Sequence, residues 1–457
     1  MSHEPAAPAD PVERASPAAY DREHGRTLRR AATASFIGNF IEWFDYASYG
    51  YLADVIGRVF FPDTDASVRL MSTFAIFAMS FILRPVGAVV WGVWGDRRGR
   101  RWALSWSILI MSGSTFLIGL LPGYAVIGAG SAAGLLVLRM VQGFSASGEY
   151  AGAGTFLAEY APRSRRGLYT CLVPASTACG LLAGSLMVTG MFGVLADTSM
   201  TTWGWRLPFL LAGPLGLIGR YIRVHLEDSP VYRAMRQNLS PNPRPNQRTT
   251  HWSEPLRRLL RHHKRDTLIT FGVSCLNAVA FYMLLSYMPT YVKEELGFSQ
   301  GTATMATSVT LVVYIAAIFL MGRLSDFFGR RRMLVSACMA FIVLSIPLFL
   351  AMTHAPGLPA IVACQIIFAI MLTANDGTLA TFLAESFPTS VRYSGFALSF
   401  NGANALLGGT TPFIVTWLIG VSGSSLAPAV YLTAVSAMAM VSILASRVLH
   451  SSDLTEP

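Results

Sequence analysis

Charged residues are scarce in this sequence, because Asp, Glu, Lys and Arg make up 13% of the 457 residues while hydrophobic residues make up 53%. The mean hydropathy is +0.47. A soluble globular protein typically carries about 25% charged residues. The composition therefore excludes a soluble globule of this size and indicates a chain that lies in a lipid bilayer.

Clusters of metal-binding or nucleophilic residues are also missing. The five cysteines all lie inside apolar segments, without the spacing of metal ligands or of an extracellular disulfide framework; they are Cys171, Cys179, Cys275, Cys338 and Cys364. The eight histidines form no such pattern either. We therefore interpret the cysteines as packing residues and expect no metal, no cofactor and no enzymatic activity.

Long apolar segments recur along the chain, and a membrane span needs about 20 such residues. They predict an all-α membrane protein of twelve helices, at 32–55, 69–93, 103–122, 131–158, 168–192, 205–224, 267–292, 302–323, 333–353, 357–383, 395–420 and 426–446. The polar stretch 225–265 separates two six-helix bundles, 31–224 and 266–449. Residues 1–30 lack the features of a signal peptide and predict a disordered cytoplasmic tail, and 450–457 predict a second, short one.

The positions of the basic residues predict the orientation. If the N-terminus is cytoplasmic, the inner loops carry most of the Lys and Arg residues, and the outer loops offer only Arg58, Arg69, Arg206 and Lys293. Cytoplasmic loops are enriched in these residues. Both termini are therefore expected in the cytoplasm. The net charge of +10 serves this topology, and we expect no binding of nucleic acid.

One short motif occurs twice, as WGVWGDRRGRR at 91–101 and within LMGRLSDFFGRRR at 320–332. Both copies share the order Gly, Asp, Gly, Arg and lie between two apolar segments. Basic residues alone can anchor helices at a membrane surface, but anchoring does not require this repeated spacing. The repeat predicts a duplicated membrane protein. The residues of the two loops are candidate gating residues, a role that fits the resemblance given below; they are Gly92, Asp96, Arg97, Gly99, Arg100, Asp326, Gly329 and Arg330.

Ionisable residues inside predicted spans mark the candidate site, because an isolated charge there costs at least ~2.5 kcal/mol. Glu42 and Asp45 lie three residues apart on one face of the first helix, and Arg84 and Glu149 lie at similar depth in helices 2 and 4. Several carboxylates near one arginine cannot all ionise cheaply, so one is expected to carry the transported proton. The alternative is a charge-balanced cluster that only holds the helices together.

Further candidates lie elsewhere in the spans. Arg139 lies nearer the outer end of helix 4, and this position indicates that it belongs either to an outer gate or to an interfacial anchor. Asp376 is the one acid well inside a span of the second half and is a candidate coupling or substrate residue. The candidates for substrate binding are Arg84, Tyr46, Tyr49, Asn277, Tyr282, Tyr287, Asn401 and Asn404. A stripe of tyrosines is, however, more often packing than a ligand cage.

The repeated loop resembles the signature of the major facilitator superfamily. The chain is also similar to the metabolite:H+ symporter family in GNFIEWFDYASYGY at 38–51, FILRPVG at 81–87, RMVQGFSASGEY at 139–150, WGWRLPF at 203–209, IRVHLEDSP at 222–230 and ESFPTSVRYSG at 385–395. Within that family, YMLLSYMPTY and FPTSVRYSGFALSFN are most similar to proline/betaine osmoprotectant transporters. Ser147 stands where the family usually has Gly. The C-terminal coiled coil of some osmosensors is lacking, so regulation through such a coil is not expected.

The resemblance implies a monomeric symporter of the bacterial inner (plasma) membrane that takes up protons with a small organic solute by alternating access. A zwitterion such as betaine or proline suits the candidate residues, because Arg84 can bind its carboxylate and tyrosine faces its cationic end. The alternative is a small mono-, di- or tricarboxylate of the α-ketoglutarate, citrate or shikimate type. Drug efflux and a non-transporting sensor are less favoured, because helix 5 lacks the Gly-Pro antiporter pattern and no signalling domain is appended.

Overall fold

The computed structural model describes residues 17–98, 100–224, 259, 261–354, 357–388 and 391–446, and their regular elements are all helical. We number the spans α1 to α12. Their bounds are Pro17–Tyr51 with Ala53–Phe60, Ala66–Ile82 with Arg84–Arg98, Arg100–Leu120, Gly130–Ala146 with Glu149–Tyr160, Arg166–Thr170 with Leu172–Val194, Arg206–Val224, Lys264–Phe281 with Met288–Glu294, Gln300–Phe328, Arg330–His354, Leu358–Glu385, Arg392–Ala403 with Thr411–Ser422, and Ala427–Ala445.

The spans confirm the predicted all-α membrane architecture. Within the described residues, eight helices are long and apolar enough to cross a bilayer, namely α2, α5 and α7 to α12. Large aliphatic side chains face outward, including Leu117 at 50%, Leu217 at 61% and Val343 at 57% exposure. A soluble protein would bury these side chains, whereas lipid solvates them.

The boundaries differ from the predicted ones mainly at the N-terminus. Helix α1 begins at Pro17 instead of residue 32, so it extends into the segment predicted as a disordered tail. Most of the predicted linker, 225–258 and residue 260, lies outside the described residues, as does the predicted tail 450–457. Helix boundaries are poorly encoded in hydropathy alone, because the polar end of a helix outside the bilayer adds no apolar signal.

Helices α2 and α4 are each interrupted near the middle of the span. The break in α2 falls at Leu83, so Arg84 begins its second segment, and the break in α4 precedes Glu149 in the same way. The two helices cross at backbone contact, since a Cβ atom on Gly143 would lie 1.7 Å from the carbonyl oxygen of Ser80. Only glycine permits this approach, which brings the two charged segments together.

The second half has its own irregularities, in α7 and α11. A π-helical turn at Tyr282–Tyr287 interrupts α7, and another at Asn404–Gly408 interrupts α11. Such turns are frequent at functional sites. The N half (α1 to α6) and the C half (α7 to α12) pack with α5 against α8 and α2 against α11. The π-helical turn of α7 packs against α1 and that of α11 packs against α2, so both turns lie at the interface between the halves.

The two ends of the bundle carry different charged groups. We call the end with Asp326, Arg330 and Glu385 the motif face, because it carries the second copy of the repeated motif, and the end with Asp54 and Lys293 the opposite face. Helix α8 connects them, since its first residue, Gln300, donates to the carbonyl of Tyr51 and its last turn contains Asp326.

Candidate functional site

Four buried charged side chains of the N half form two separate ion pairs. The Arg84 guanidinium donates from Nη2 to Glu42 Oε1 at 2.7 Å, and both side chains are at most 3% exposed. Its Cζ atom lies 4.4 Å from the ring centroid of Phe81 and 5.1 Å from that of Tyr46. Arg84 is thus held by a carboxylate and two aromatic faces at once.

Asp45 has a different partner. Arg139 Nη1 lies 3.2 Å from Asp45 Oδ2 and donates to the side-chain oxygen of Gln142 at 2.7 Å. Gln142 in turn donates to the same Asp45 oxygen and to Thr115, and the Arg139 guanidinium covers the ring of Tyr49 at 3.8 Å from its centroid. Arg139 is completely buried.

This arrangement corrects two expectations. The carboxylates were expected to share Arg84, but Arg84 pairs with Glu42, and Asp45 has a second arginine as its partner. Arg139 was expected at an outer gate or at the interface, but its side chain reaches inward to Asp45. Glu149 lies close enough to accept a hydrogen bond from Ser107 at 3.3 Å, and its carboxylate acts electrostatically on Glu42.

A narrow cavity of about 10 Å³, room for about one water molecule, lies between the two halves. Its described lining residues come from both halves; they are Trp43, Tyr150, Pro174, Thr177, Asn277, Phe281, Asp376, Phe400 and Asn404. Two aromatic pairs bridge the halves around it. Tyr150 stacks on Phe400 with ring centroids 4.2 Å apart, and Trp43 meets Phe281 edge-on at 4.9 Å.

Asp376 is the charged residue among those lining side chains. Asn277 Nδ2 donates to its Oδ1 at 2.5 Å, and the Tyr314 hydroxyl donates to its Oδ2. The side chain is 1% exposed. Both carboxylate oxygens are therefore engaged by neutral donors, while Glu42 and Asp45 are engaged by arginines.

The structure brings together only part of the predicted substrate site. Asn277 and Asn404 line the cavity, whereas Arg84, Tyr46, Tyr49 and Tyr282 are not among the residues that line it. Tyr287 lies elsewhere, where its hydroxyl accepts from Thr416 at 3.3 Å, and Asn401 donates to the carbonyl of Ser147 at 3.1 Å. Four aromatic residues that line the cavity were not among the predicted binding residues, namely Trp43, Tyr150, Phe281 and Phe400. An aromatic side chain in a span gives no local signal that separates a cavity from a core.

On the motif face, ion pairs tie the two halves together. Arg166 of the N half donates to Glu385 of the C half at 2.8 Å, and Arg392 of the C half donates to Glu159 of the N half at 3.0 Å. Each arginine also caps the helix before it, Arg166 through the carbonyl of Ala158 and Arg392 through that of Ala384. The two bridges are related by the internal duplication.

These four residues were not predicted from the sequence to connect the two halves, although the sequence contains a signal for such contacts. The string LAEYAPRSRR at 157–166 repeats as LAESFPTSVR at 383–392, with Glu, Pro, Ser and Arg at the same offsets. The two arginines were interpreted only as markers of membrane topology, and no role was predicted for the two glutamates. A second internal repeat that carries paired acids and bases is a specific indication of crossed contacts between the halves.

The second copy of the repeated motif joins this network. Asp326 accepts from the backbone N–H groups of Gly167 and Leu168 at 2.8 and 3.1 Å and pairs with Arg330 at 2.8 Å, so it binds the start of α5 in the other half. Gly329 has a φ of 89°, which other residues rarely adopt. In the first copy, Gly99 lies outside the described residues. The surroundings of Gly92 and the side chains of Asp96, Arg97 and Arg100 lie outside them as well.

The opposite face is also closed by contacts between the halves. Lys293 Nζ lies 3.0 Å from Asp54, and Tyr51 donates its hydroxyl to the carbonyl of Leu285 at 2.7 Å. Nearby, the Arg58 guanidinium makes two hydrogen bonds to Asp197 and holds the pKa of that carboxyl below its ordinary value. Contacts between the halves are therefore present at both ends of the bundle, on either side of the central cavity.

Comparison with known proteins agrees with this architecture. Residues 31–450 match the family described as "Sugar (and other) transporter". The chain is 36% identical to the glycine betaine/proline/ectoine/pipecolic acid transporter OusA of Dickeya dadantii, covering 90% of this chain and 82% of that protein. It is 35% identical to the proline/betaine transporter of Escherichia coli, covering 91% of this chain and 82% of the relative.

Solved structures share the fold at low sequence identity. The proton:xylose symporter XylE, a protein of the major facilitator superfamily, superimposes with a TM-score of 0.72 at 17% identity and covers 92% of this chain and 95% of its own. A partially occluded inward-open form of XylE from Escherichia coli gives a TM-score of 0.70 over 92% of this chain and 97% of its own. The chain thus belongs to the family of sugar and other transporters, and it is a multi-pass membrane transporter with the major facilitator fold.

Proposed function

We propose that this protein takes up a small zwitterionic osmoprotectant, such as betaine or proline, together with protons. The observation that carries the proposal is the set of residues that line the narrow cavity between the halves, which combines one carboxylate with aromatic faces and amide groups. A quaternary or secondary ammonium group suits such surroundings. The most similar relatives named above are transporters of glycine betaine and proline, and they cover most of this chain.

The proton pathway is assigned to the buried acids of the N half. Glu42, Asp45 and Glu149 lie in one low-dielectric region, where three ionised carboxylates are costly. Asp45 and Glu149 are the proposed carriers, and Glu42 holds Arg84. A proton that binds to Asp45 weakens its ion pair with Arg139, which joins helices α1 and α4, and so changes the balance between conformations of the two halves.

Alternating access follows from the closures at both ends. The motif face is proposed to lie in the cytoplasm of a bacterial cell, in the plasma membrane, with both termini on that side, as the distribution of basic residues predicts. Opening at the opposite face breaks the Lys293–Asp54 pair and admits the solute. Opening at the motif face breaks the two crossed bridges and the Asp326 contacts, and it releases solute and proton to the cytoplasm. Each protein is proposed to work as a monomer.

Reconstitution in proteoliposomes tests the proposal. Purified protein should accumulate radiolabelled betaine or proline above equilibrium when the outside is made acidic, and a protonophore should abolish the accumulation. α-Ketoglutarate, citrate and shikimate serve as the comparison solutes. Accumulation of one of these carboxylates, with no transport of betaine or proline, would overturn the assignment of the substrate while leaving symport intact.

A further inference from the structure

Asp376 is a buried carboxylate whose hydrogen-bond partners are neutral. Glu42 pairs with Arg84, Asp45 pairs with Arg139, and Glu385 pairs with Arg166. The groups that bind Asp376 are an amide N–H of Asn277 and the hydroxyl of Tyr314, both of them neutral. No described basic side chain pairs with Asp376. A buried carboxylate is costly unless a positive charge compensates it.

The position of Asp376 shows where that positive charge would have to be. The carboxylate lines the cavity, and none of the lining residues that the structure describes is basic. The same cavity is walled by Trp43 and Phe281 on one hand and by Tyr150 and Phe400 on the other. Aromatic faces attract a cation through their quadrupole and are compatible with methyl groups that cannot hydrogen-bond.

The cavity also offers a donor for the negative end of a zwitterion. The indole Nε1–H of Trp43 is buried and has no hydrogen-bond acceptor among the described residues. A carboxylate of the solute could accept from it and so satisfy a donor that is otherwise expensive to bury. One unpaired donor and one carboxylate without a basic partner thus belong to residues that line the same cavity.

We propose that Asp376 is the specificity-determining residue of this transporter, selecting solutes with a positively charged nitrogen, and that Trp43, Tyr150, Phe281 and Phe400 enclose the substituents of that nitrogen. The proposal rests on the proposed uptake of a zwitterion and adds the group that recognises it. Sugars and dicarboxylates are rejected, the former because they leave the Asp376 charge uncompensated and the latter because they add a like charge.

A pair of matched ligands tests this without any mutation. Betaine and tert-butylacetate have the same shape, but the latter carries a neutral carbon where betaine has its positive nitrogen. Isothermal titration of the purified wild-type protein should give an affinity for betaine about thirtyfold or more above that for tert-butylacetate. Equal affinities for the two ligands would overturn the proposal.

Variants test whether Asp376 causes the preference for betaine over tert-butylacetate. Asp376→Asn should bind betaine at least about thirtyfold more weakly and should lose most of the preference over tert-butylacetate. Asp376→Glu keeps the charge and should restore part of the preference. Thr373→Val is the control, because its buried hydroxyl donates only within its own helix, to Ile370; it should bind betaine like the wild type. Thermal unfolding of each variant establishes that it is folded.

The outcomes separate this inference from the proposed function. If the wild type binds betaine or proline and folded Asp376→Asn binds them equally well, Asp376 does not select the solute, although the uptake of zwitterions stands. If Asp376 only carries a proton, Asp376→Asn should keep its affinity and lose uphill accumulation, which also overturns the role in selection. If the wild type binds no solute with a positively charged nitrogen, the proposed substrate class is wrong and the inference falls with it.

Discussion

Glu385→Gln should open the motif face. The Glu385 side chain is fully buried, and its carboxylate lies 2.8 Å from Arg166 Nη1 and 3.5 Å from Arg330 Nε. The substitution removes the charge that joins Arg166 of one half to the other half. Because the groups are buried, this bridge is poorly screened by solvent, unlike an ion pair on a protein surface.

The size of the effect follows from the partners that remain. Breaking a buried ion pair costs about 3–5 kcal/mol when the surviving charge has no other contact. Here Arg166 keeps its hydrogen bond to Ala158 and Arg330 keeps its pair with Asp326. We therefore expect a loss of about 2 kcal/mol from the closed state, which changes the ratio of open to closed protein about thirtyfold.

Alkylation of Cys171 measures this ratio directly. Its thiol is 1% exposed and lies against the C half, with Sγ 3.4 Å from the carbonyl oxygens of Ile318 and Gly377. It can react with a maleimide only when the halves separate at the motif face. In a background where the other four cysteines are replaced by alanine, Glu385→Gln should react about thirtyfold faster than its parent.

A change at the other end supplies the control. Lys293→Gln removes a pair whose side chains are 27% and 31% exposed, so the expected effect is below about 1 kcal/mol. It favours opening of the opposite face and should slow alkylation of Cys171 by a few fold at most. If folded Glu385→Gln reacts at the parent rate, the crossed bridges do not hold the motif face closed and the gating account is wrong.

Three further predictions concern single residues. Asp45→Asn or Glu149→Gln should abolish accumulation against a gradient but leave solute counterflow measurable in proteoliposomes; a variant that still accumulates solute to the wild-type level excludes that residue as a proton carrier. Arg84→Lys should lower thermal stability, by about 1 kcal/mol through the lost guanidinium contacts with Phe81 and Glu42, yet bind betaine normally in a titration, because Arg84 does not line the cavity. Gly322→Ala should slow transport and favour opening of the motif face, because its Cβ atom would lie 2.1 Å from Cys171 Sγ. Partial recovery of transport in the double variant with Cys171→Ala would identify the clash as the cause. Transport at the wild-type rate by the single variant would contradict this prediction.

The architecture could be predicted from the sequence because its physical signals are local and repeated. Each span is a long apolar run, and the bilayer leaves helices as the structure that such runs adopt. The repeated loop motif indicated the duplication, and the structure shows that Asp326 in the second copy contacts the other half. Fold and family membership were therefore predictable.

The pairing of charges could not be predicted in the same way. Glu42, Asp45 and Arg84 were found, because a charge in a span is conspicuous. Their partners depend on helix rotation and on the crossing of α2 and α4 at Gly143, which no local pattern encodes. Arg139 was placed by counting residues from the helix end, which ignores the reach of a long side chain along an apolar surface.

The cavity residues were missed for a related reason. Trp43, Tyr150, Phe281 and Phe400 belong to four different spans, two in each half, and they come together only because the halves face each other. Each aromatic side chain alone looks like core packing. Asp376 was recognised as unusual, but its hydrogen bonds to Asn277 and Tyr314, and the aromatic faces beside it, required the structure.

Solute-induced proton movement tests the central claim most directly. Betaine or proline is added to lightly buffered proteoliposomes that contain the protein, with no imposed gradient, while a pH electrode records the external medium. Proton-coupled uptake of a zwitterion predicts that the medium becomes more alkaline as solute enters, and that a protonophore collapses the signal. Entry of labelled solute at the same rate without any change in external pH would contradict the account.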